Sequence, residues 1–343
     1  MRILYFYSVC IFILSSCGTS SLYVDVQQPA DISISQDIKK VIVANRSIPD
    51  KKNLAGNIVE GILTGEGIGA DKKGSQYCVE GISSILSSND RYDLKNAGDI
   101  LLKGTGTSEF PPILSWIEVK DICKSYDADA LIVLSTFDSD SREIEGKSVV
   151  RTKRVKGAKL REVVYPVTLI MEITSGWRIY DVNNEEIIDV NTFTEIKEFK
   201  EWGSSYSNAR SSLPSKRQAL KRSGIFAGQQ YAKRISPTWI KVIRYYFIGS
   251  HEGFKQAKKH VKLNQWDKAI SIWKELTSNN DVKVTRRSYY NLALAAEVKG
   301  HIDTAIEYAN KSLDLGEKRA QAYLRSLQIR KKNNDILEKQ LNN

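Results

Sequence analysis

The spacing of apolar and polar positions divides the chain into distinct textures. Residues 3–14 are almost continuously apolar. Residues 20–36 are polar, contain Pro29, and predict a short tether. A β-branched run bounded by charge and Asn follows at 39–45 and predicts a buried strand. Residues 46–73 carry Gly56, Gly61, Gly65, Gly67 and Gly69 and predict loop. Apolar positions at helical spacing predict two amphipathic helices over 74–89 and 113–126. Between them, Tyr92-Asp93-Leu94 and Ile100-Leu101-Leu102 predict one or two short strands. Residues 129–134 predict a second buried strand.

The pattern then becomes alternating. Val167, Leu169, Met171 and Ile173 interleave with Thr168, Glu172 and Thr174, the signature of a half-buried antiparallel strand. Residues 177–182 continue it, Asn183-Asn184 predicts a tight turn, and 186–196 returns as the partner. A helix over 214–234 and a strand over 239–247, expected to close the sheet, complete a domain spanning 37–248. This order defines an α+β domain, an α/β sandwich with a mixed sheet. The order of elements, with the hairpin Tyr180-Asp181-Val182-Asn183-Asn184-Glu185-Glu186-Ile187, resembles periplasmic domains of the TolB amino-terminal type. That type also occurs in curli-secretion lipoproteins and in lipoprotein activators of penicillin-binding proteins. The resemblance implies a fold and brings no catalytic motif.

From residue 249 to 343 the texture is helical. AKKHVKLNQWDKAISIWKEL (257–276) and ALAAEVKGHIDTAIEYANKSL (293–313) match at an offset of 36 residues. Ala257 and Ala293 on one helix, and Ala269 and Ala305 on the next, allow close helix approach. Trp273 or Ala309 fills the position four residues later. Tyr289 holds the first large position of the second copy, where Gly253 stands in the first. The two copies resemble tetratricopeptide repeats, which imply stacked helical hairpins; the segment from about Glu317 would cap them. No proline stands at either repeat end, a departure from that pattern.

The apolar run at 3–14 is about half the ~20 residues a membrane-spanning helix needs. It ends Leu14-Ser15-Ser16-Cys17, which resembles the bacterial lipobox. The resemblance implies a signal peptide over 1–16, acylation of Cys17, a tether over 17–36 and attachment to a membrane. Gly18, with no acidic residue beside it, points to an outer-membrane lipoprotein facing the periplasm. The whole chain also resembles an uncharacterised family of bacterial envelope lipoproteins, which implies location and architecture but no activity.

This compartment changes the meaning of the net charge of +11. Nucleic acid is no longer a candidate partner; anionic lipid, lipopolysaccharide or an acidic protein surface is. From Trp202 to His251 there is no Asp or Glu, while Arg210, Lys216, Arg217, Lys221, Arg222, Lys233, Arg234, Lys241 and Arg244 accumulate, the first seven as an expected basic face. A second basic run comprises Arg151, Lys153, Arg154, Lys156, Lys159 and Arg161. Its charges fall on both strand parities, so it cannot offer a lipid-facing barrel surface. Removing Cys10 and Cys17 leaves Cys78 and Cys123, expected as two buried thiols or as a disulfide.

Catalytic chemistry finds little support. Gly69-Ala70-Asp71-Lys72-Lys73-Gly74-Ser75 lacks the lysine a phosphate loop needs and reads as loop. His251, His260 and His301 all lie in or beside the repeats, so no histidine is available for a triad in the first domain. Asp138-Ser139-Asp140 lacks the rest of a calcium loop. No cofactor or metal is expected. The leading expectation is a non-enzymatic scaffold or regulator that binds a protein partner through its repeats and basic face. The alternative is a glycan-active envelope enzyme with a carboxylate site in the first domain.

Overall fold

A computed structural model describes residues 18–48, 69–106, 109–155 and 158–342. The signal segment 1–16 and Cys17 lie outside the described residues. The chain forms two compact units. One comprises Pro29–Thr238 with Glu338–Asn343, the other Met1–Gln28 with Trp239–Leu337. The first strand, β1 (Thr19–Gln28), belongs to the second of these.

The first unit is built on β2 (Lys40–Asn45), α1 (Ala70–Leu86), β3 (Asp93–Leu101), α2 (Trp116–Ser125) and β4 (Ala130–Glu145). Next come β5 (Val149–Val155), β6 (Ala158–Asp181), β7 (Glu186–Gly203), α3 (Tyr206–Ser212) and α4 (Lys216–Ile235). The sheet order is β3-β2-β4-β6-β5, with β7 also paired to β6. β2 lies parallel to β3 and β4, while β4, β5 and β7 are all antiparallel to β6. Thus the mixed-sheet expectation holds, followed by a helical region.

The parallel half explains its own layering. A parallel pair needs a crossover, and right-handed crossovers to opposite sides of β2 put their helices on opposite faces. Val41, Val43, Ile132 and Leu134 accordingly pack with α1 and α4 in one cluster. Their neighbours Ile42, Ala44, Leu131 and Val133 pack with α2 in another. Cys78 sits in the first cluster and Cys123 in the second, both as free thiols. The disulfide alternative is therefore overturned: the sheet stands between them. Burial pushes both thiols up, Cys123 to about 12. Thiol reagents are expected to label neither in the folded protein, and both equally in denaturant with or without reductant. Labelling that depends on reductant would contradict this arrangement.

The antiparallel half is dominated by β6, a continuous strand of 24 residues where 167–173 and 177–182 were expected. Its turn is held by Asp181, whose carboxylate accepts from the backbone N–H of Asn183 at 2.9 Å. Glu185, at φ 52, takes the left-handed position that lets β7 return. In the core, Trp177 stacks on Tyr231 at 4.5 Å between ring centroids. Each such side chain contributes about 1.5–3 kcal/mol by burial. The Tyr231 hydroxyl donates to Asp189, which also takes two hydrogen bonds from Arg234.

The second unit differs from expectation in two ways. Residues 19–28 of the stretch read as a tether form β1, and 239–247 do not close the large sheet. Instead β1 pairs with β8 (Thr238–Phe247) in a separate two-stranded sheet. Leu22, Val24 and Val26 alternate inward from β1, and with Tyr246 and Phe247 they enter the core of the helices. Those helices are α5 (Glu252–Lys262), α6 (Trp266–Leu276), α7 (Val282–Val298), α8 (Ile302–Asp314) and α9 (Arg319–Asn342). This unit is therefore helical with a two-stranded sheet, and not purely α. Asn291 fixes β8 to α7: its side-chain amide accepts from Phe247 N–H and donates to Phe247 C=O, both at 2.8 Å.

A buried charge sits among these helices. Glu297, fully buried, accepts from Arg244 on β8, and from Arg330 and the Tyr323 hydroxyl on α9. Burial pushes this carboxyl up, but the Arg244 guanidinium, the Tyr323 hydroxyl and Arg330 outweigh it and hold it below the ordinary carboxylate range.

Candidate functional site

In the sheet unit, a cleft of about 200 Å³ opens where the first turns of α1 and α4 meet the sheet. Lys73 and Tyr77 from α1, Lys216 and Arg217 from α4, and Ser139 and Ser141 from β4 line it over an apolar floor of Met171 and Leu220. The local sequence explains this placement. Ser215 caps α4 by accepting from Gln218 N–H, while the Gln218 side chain accepts from Ser215 N–H. α1 begins directly after Gly69, whose φ of 78 suits a residue without Cβ. The expected loop at 69–75 is thus the first turn of a helix, and the expected start at 74 moves back to Ala70.

Asp71 lies beside the cleft and accepts from the Ser139 hydroxyl at 2.6 Å. Burial, with Asp138 and Asp140 near, pushes its carboxyl up to about 6; the Ser139 hydrogen bond opposes the shift. The rim is cationic and the floor apolar, and the Ser139 hydroxyl spends its proton on Asp71. Such a cleft can hold an anion. Among the described residues no cluster of three or more His, Cys, Asp or Glu could hold a metal ion.

The seven cations of the expected basic face separate into three groups. Lys216, Arg217, Lys221 and Arg222 are exposed along α4 and make no ion pair among the described residues. Lys221 lies over the Tyr77 ring and Arg222 over that of Phe199. Arg210, by contrast, is compensated by Glu143 at 2.8 Å and Glu145 at 2.7 Å. Lys233 and Arg234 sit at the far end of α4, and Arg234 is engaged with the buried Asp189. Arg234 therefore holds the fold together and leaves the basic face. Lys73 and Tyr77 join it, from a stretch that reads as loop and helix flank in sequence.

In the helical unit, Ala257, Ala269, Trp273, Ala293 and Ala305 are all fully buried. They fill the space between helices and offer nothing to a partner. Tyr289 is half-buried, 6.1 Å from Tyr308 between ring centroids, and Lys311 lies over both rings. Of the six repeat residues, Tyr289 alone reaches the surface. Among the described residues, no helix is long and apolar enough to cross a membrane.

The cleft and the exposed α4 cations form a positively charged surface on the α/β unit. Residues 38–247 match the family described as Domain of unknown function (DUF8603), more than half of the chain, and the chain belongs to that family. Residues 255–335 match a second description, Domain of unknown function (DUF6340). No curated protein matches the chain. Solved structures similar to it include a PelC dodecamer from Paraburkholderia phytofirmans, at 13% identity, covering 63% of this chain and 99% of that one, with a TM-score of 0.22. Another is a putative neuraminyllactose-binding hemagglutinin homolog from Helicobacter pylori, at 12% identity, 60% and 86% coverage and a TM-score of 0.22.

Proposed function

We propose that this chain is a membrane-anchored envelope lipoprotein that acts without catalysis, as a scaffold or regulator. Its lipobox-like Leu14-Ser15-Ser16-Cys17 supplies the anchor at the periplasmic face of an outer membrane. Its helical hairpins, read as tetratricopeptide repeats, supply the protein-binding surface, with the half-buried Tyr289 and Tyr308 as its aromatic edge. Its basic face meets an anionic partner such as lipid headgroups or lipopolysaccharide.

The observation that carries this reading is the position of the α4 cations. Lys216 and Arg217 occupy the first helical turn, where the helix dipole is positive and no acidic residue offsets it. A cation there costs the helix about 0.3–1 kcal/mol. Placing two at that end, beside Lys73 of α1, spends stability on a surface that attracts anions. The cleft lining consists of cations, hydroxyls and apolar groups. The converging carboxylates that a glycan-active enzyme needs are not in it, which favours the binding reading.

Neutralising the four exposed cations, as Lys216→Gln, Arg217→Gln, Lys221→Gln and Arg222→Gln together, is expected to weaken salt-sensitive binding to anionic liposomes or lipopolysaccharide. The helix itself should be no less stable. Unchanged binding would end the proposal for this face. For the repeats, crosslinking in intact cells followed by mass spectrometry should recover a partner that is lost when Tyr289 and Tyr308 are replaced by serine.

A further inference from the structure

The second basic run occupies a part of the fold that no helix covers among the described residues. β4 pairs with β6 from Ala130 to Glu145, against residues 167–181. β7 pairs with β6 only as far as Tyr165. Beyond that point β5 and β6 pair with each other alone, from Val149↔Val164 to Val155↔Ala158. The result is a two-stranded arm that extends past the rest of the sheet, with both edges unpaired among the described residues. Every side chain described from 147 to 163 is exposed.

The register sorts its residues by face. Opposed residues of an antiparallel pair share a face. One face carries Val149, Arg151 and Lys153 opposite Val164, Glu162 and Leu160. The other carries Val150, Thr152 and Arg154 opposite Val163, Arg161 and Lys159, with no acidic residue. Counted along the strand, this second face continues the side of the sheet on which α4 and the cationic cleft lie. Its root is braced. Arg210 pairs with Glu143 and Glu145, the Tyr206 hydroxyl donates to Gly146 C=O, and Tyr206 packs edge-on against Tyr165.

An isolated two-stranded hairpin is marginal in water, and long bare edges invite pairing. Lysines on edges can serve simply to prevent that. Here, however, the charge is one-signed on a single face, and exposed aliphatics sit among the cations: Val150 is 63% and Val163 49% exposed. Aliphatics flanked by long cationic side chains suit a lipid headgroup layer, where the stems lie in the apolar boundary and the charges meet phosphates. A wholly hydrophilic polyanion would leave the valines in water.

We propose that the arm, through Val150, Arg154, Lys159, Arg161 and Val163, lies on an anionic lipid bilayer surface. This deepens the reading of the basic face as an anion-binding surface and rests on it for the partner's chemistry. The test places a bimane fluorophore on Thr152→Cys in the mature acylated protein, where cleavage removes Cys10 and the acyl group blocks Cys17; Cys78 and Cys123 are buried and should not label. The protein is reconstituted with vesicles of phosphatidylcholine alone or of phosphatidylcholine with phosphatidylglycerol. Blue-shifted emission and protection from an aqueous quencher are expected on the anionic vesicles only, reversed by salt. Replacing Arg154, Lys159 and Arg161 with glutamine should weaken that response by about 100-fold, at roughly fivefold per cation. Identical emission on both vesicle types overturns the proposal, and needs no change to the arm's charges to be read. Label-to-label contact that rises with protein concentration, independent of lipid, would overturn it in favour of pairing between copies. If anionic vesicles bind but the label stays aqueous, the arm inference fails while the α4 face stands. If the α4 glutamine variant loses binding equally on both vesicle types, the α4 reading fails instead.

Discussion

Replacing Glu297 with alanine is expected to destabilise the helical unit by about 3–5 kcal/mol, the cost of stranding a buried ion pair's partners. Glu297 is fully buried, and its two arginine partners are mostly so. Their side chains come from a strand and a distant helix, so this one carboxylate ties β8, α7 and α9 together. Its removal leaves Arg244 and Arg330 without a counter-charge and Tyr323 without its acceptor. Urea denaturation followed by helical circular dichroism measures the loss, and a midpoint equal to that of the wild type would remove the network from the account. The same group sets an acid limit. Its folded-state carboxyl is held below the ordinary range. Its contribution is therefore fully present above the unfolded value of about 4.3 and is lost as pH falls through the lower folded value. The alanine variant should lack that portion of the acid sensitivity.

The second large effect is expected at Gly228, where alanine should cost about 3 kcal/mol or more. α1 and α4 cross with their backbones in contact. A Cβ on Gly228 would lie 1.8 Å from the Cys78 carbonyl oxygen, and one on Gly81 would lie 2.1 Å from that of Ile225. No rotamer change relieves a clash with backbone, so the two helices would have to separate. They carry the first unit's core against the sheet, and their first turns line its cleft. Thermal unfolding of Gly228→Ala, and of Gly81→Ala as the reciprocal change, should each fall well below wild type. Wild-type behaviour in both would mean the helices are not packed this closely.

Legibility in the sequence followed burial. β2 and β4 were readable because a strand covered on both faces must be a continuous β-branched run. The helical hairpins were readable because Ala257, Ala269, Ala293 and Ala305 recur where helices touch. β5 was not, since an exposed ribbon carries no inward-outward alternation, and only its pairing with β6 defines it. β1 was mistaken for a tether because its alternation is brief and diluted by Ser and Gln, and its partner β8 is remote in sequence. Arg234 could not be separated from its basic neighbours, because its counter-charge, Asp189, comes from another element 45 residues away. The close approach at Gly81 and Gly228 had no signal in the sequence, because it depends on the facing backbone.

β1 also bears on the leash that the proposed anchor would leave. Gly18 is already held by β8, whose neighbour Ile248 donates to its carbonyl at 2.9 Å. Cys17 is the very next residue. A chain extends at most ~3.3–3.6 Å per residue, so an acyl group on Cys17 would fasten the strand itself to the bilayer, with no slack between them. Such a mount would have little chain in which to swing. It would let a partner be sought only by sliding in the plane of the membrane, with the same flank of the helical unit always turned toward the lipid.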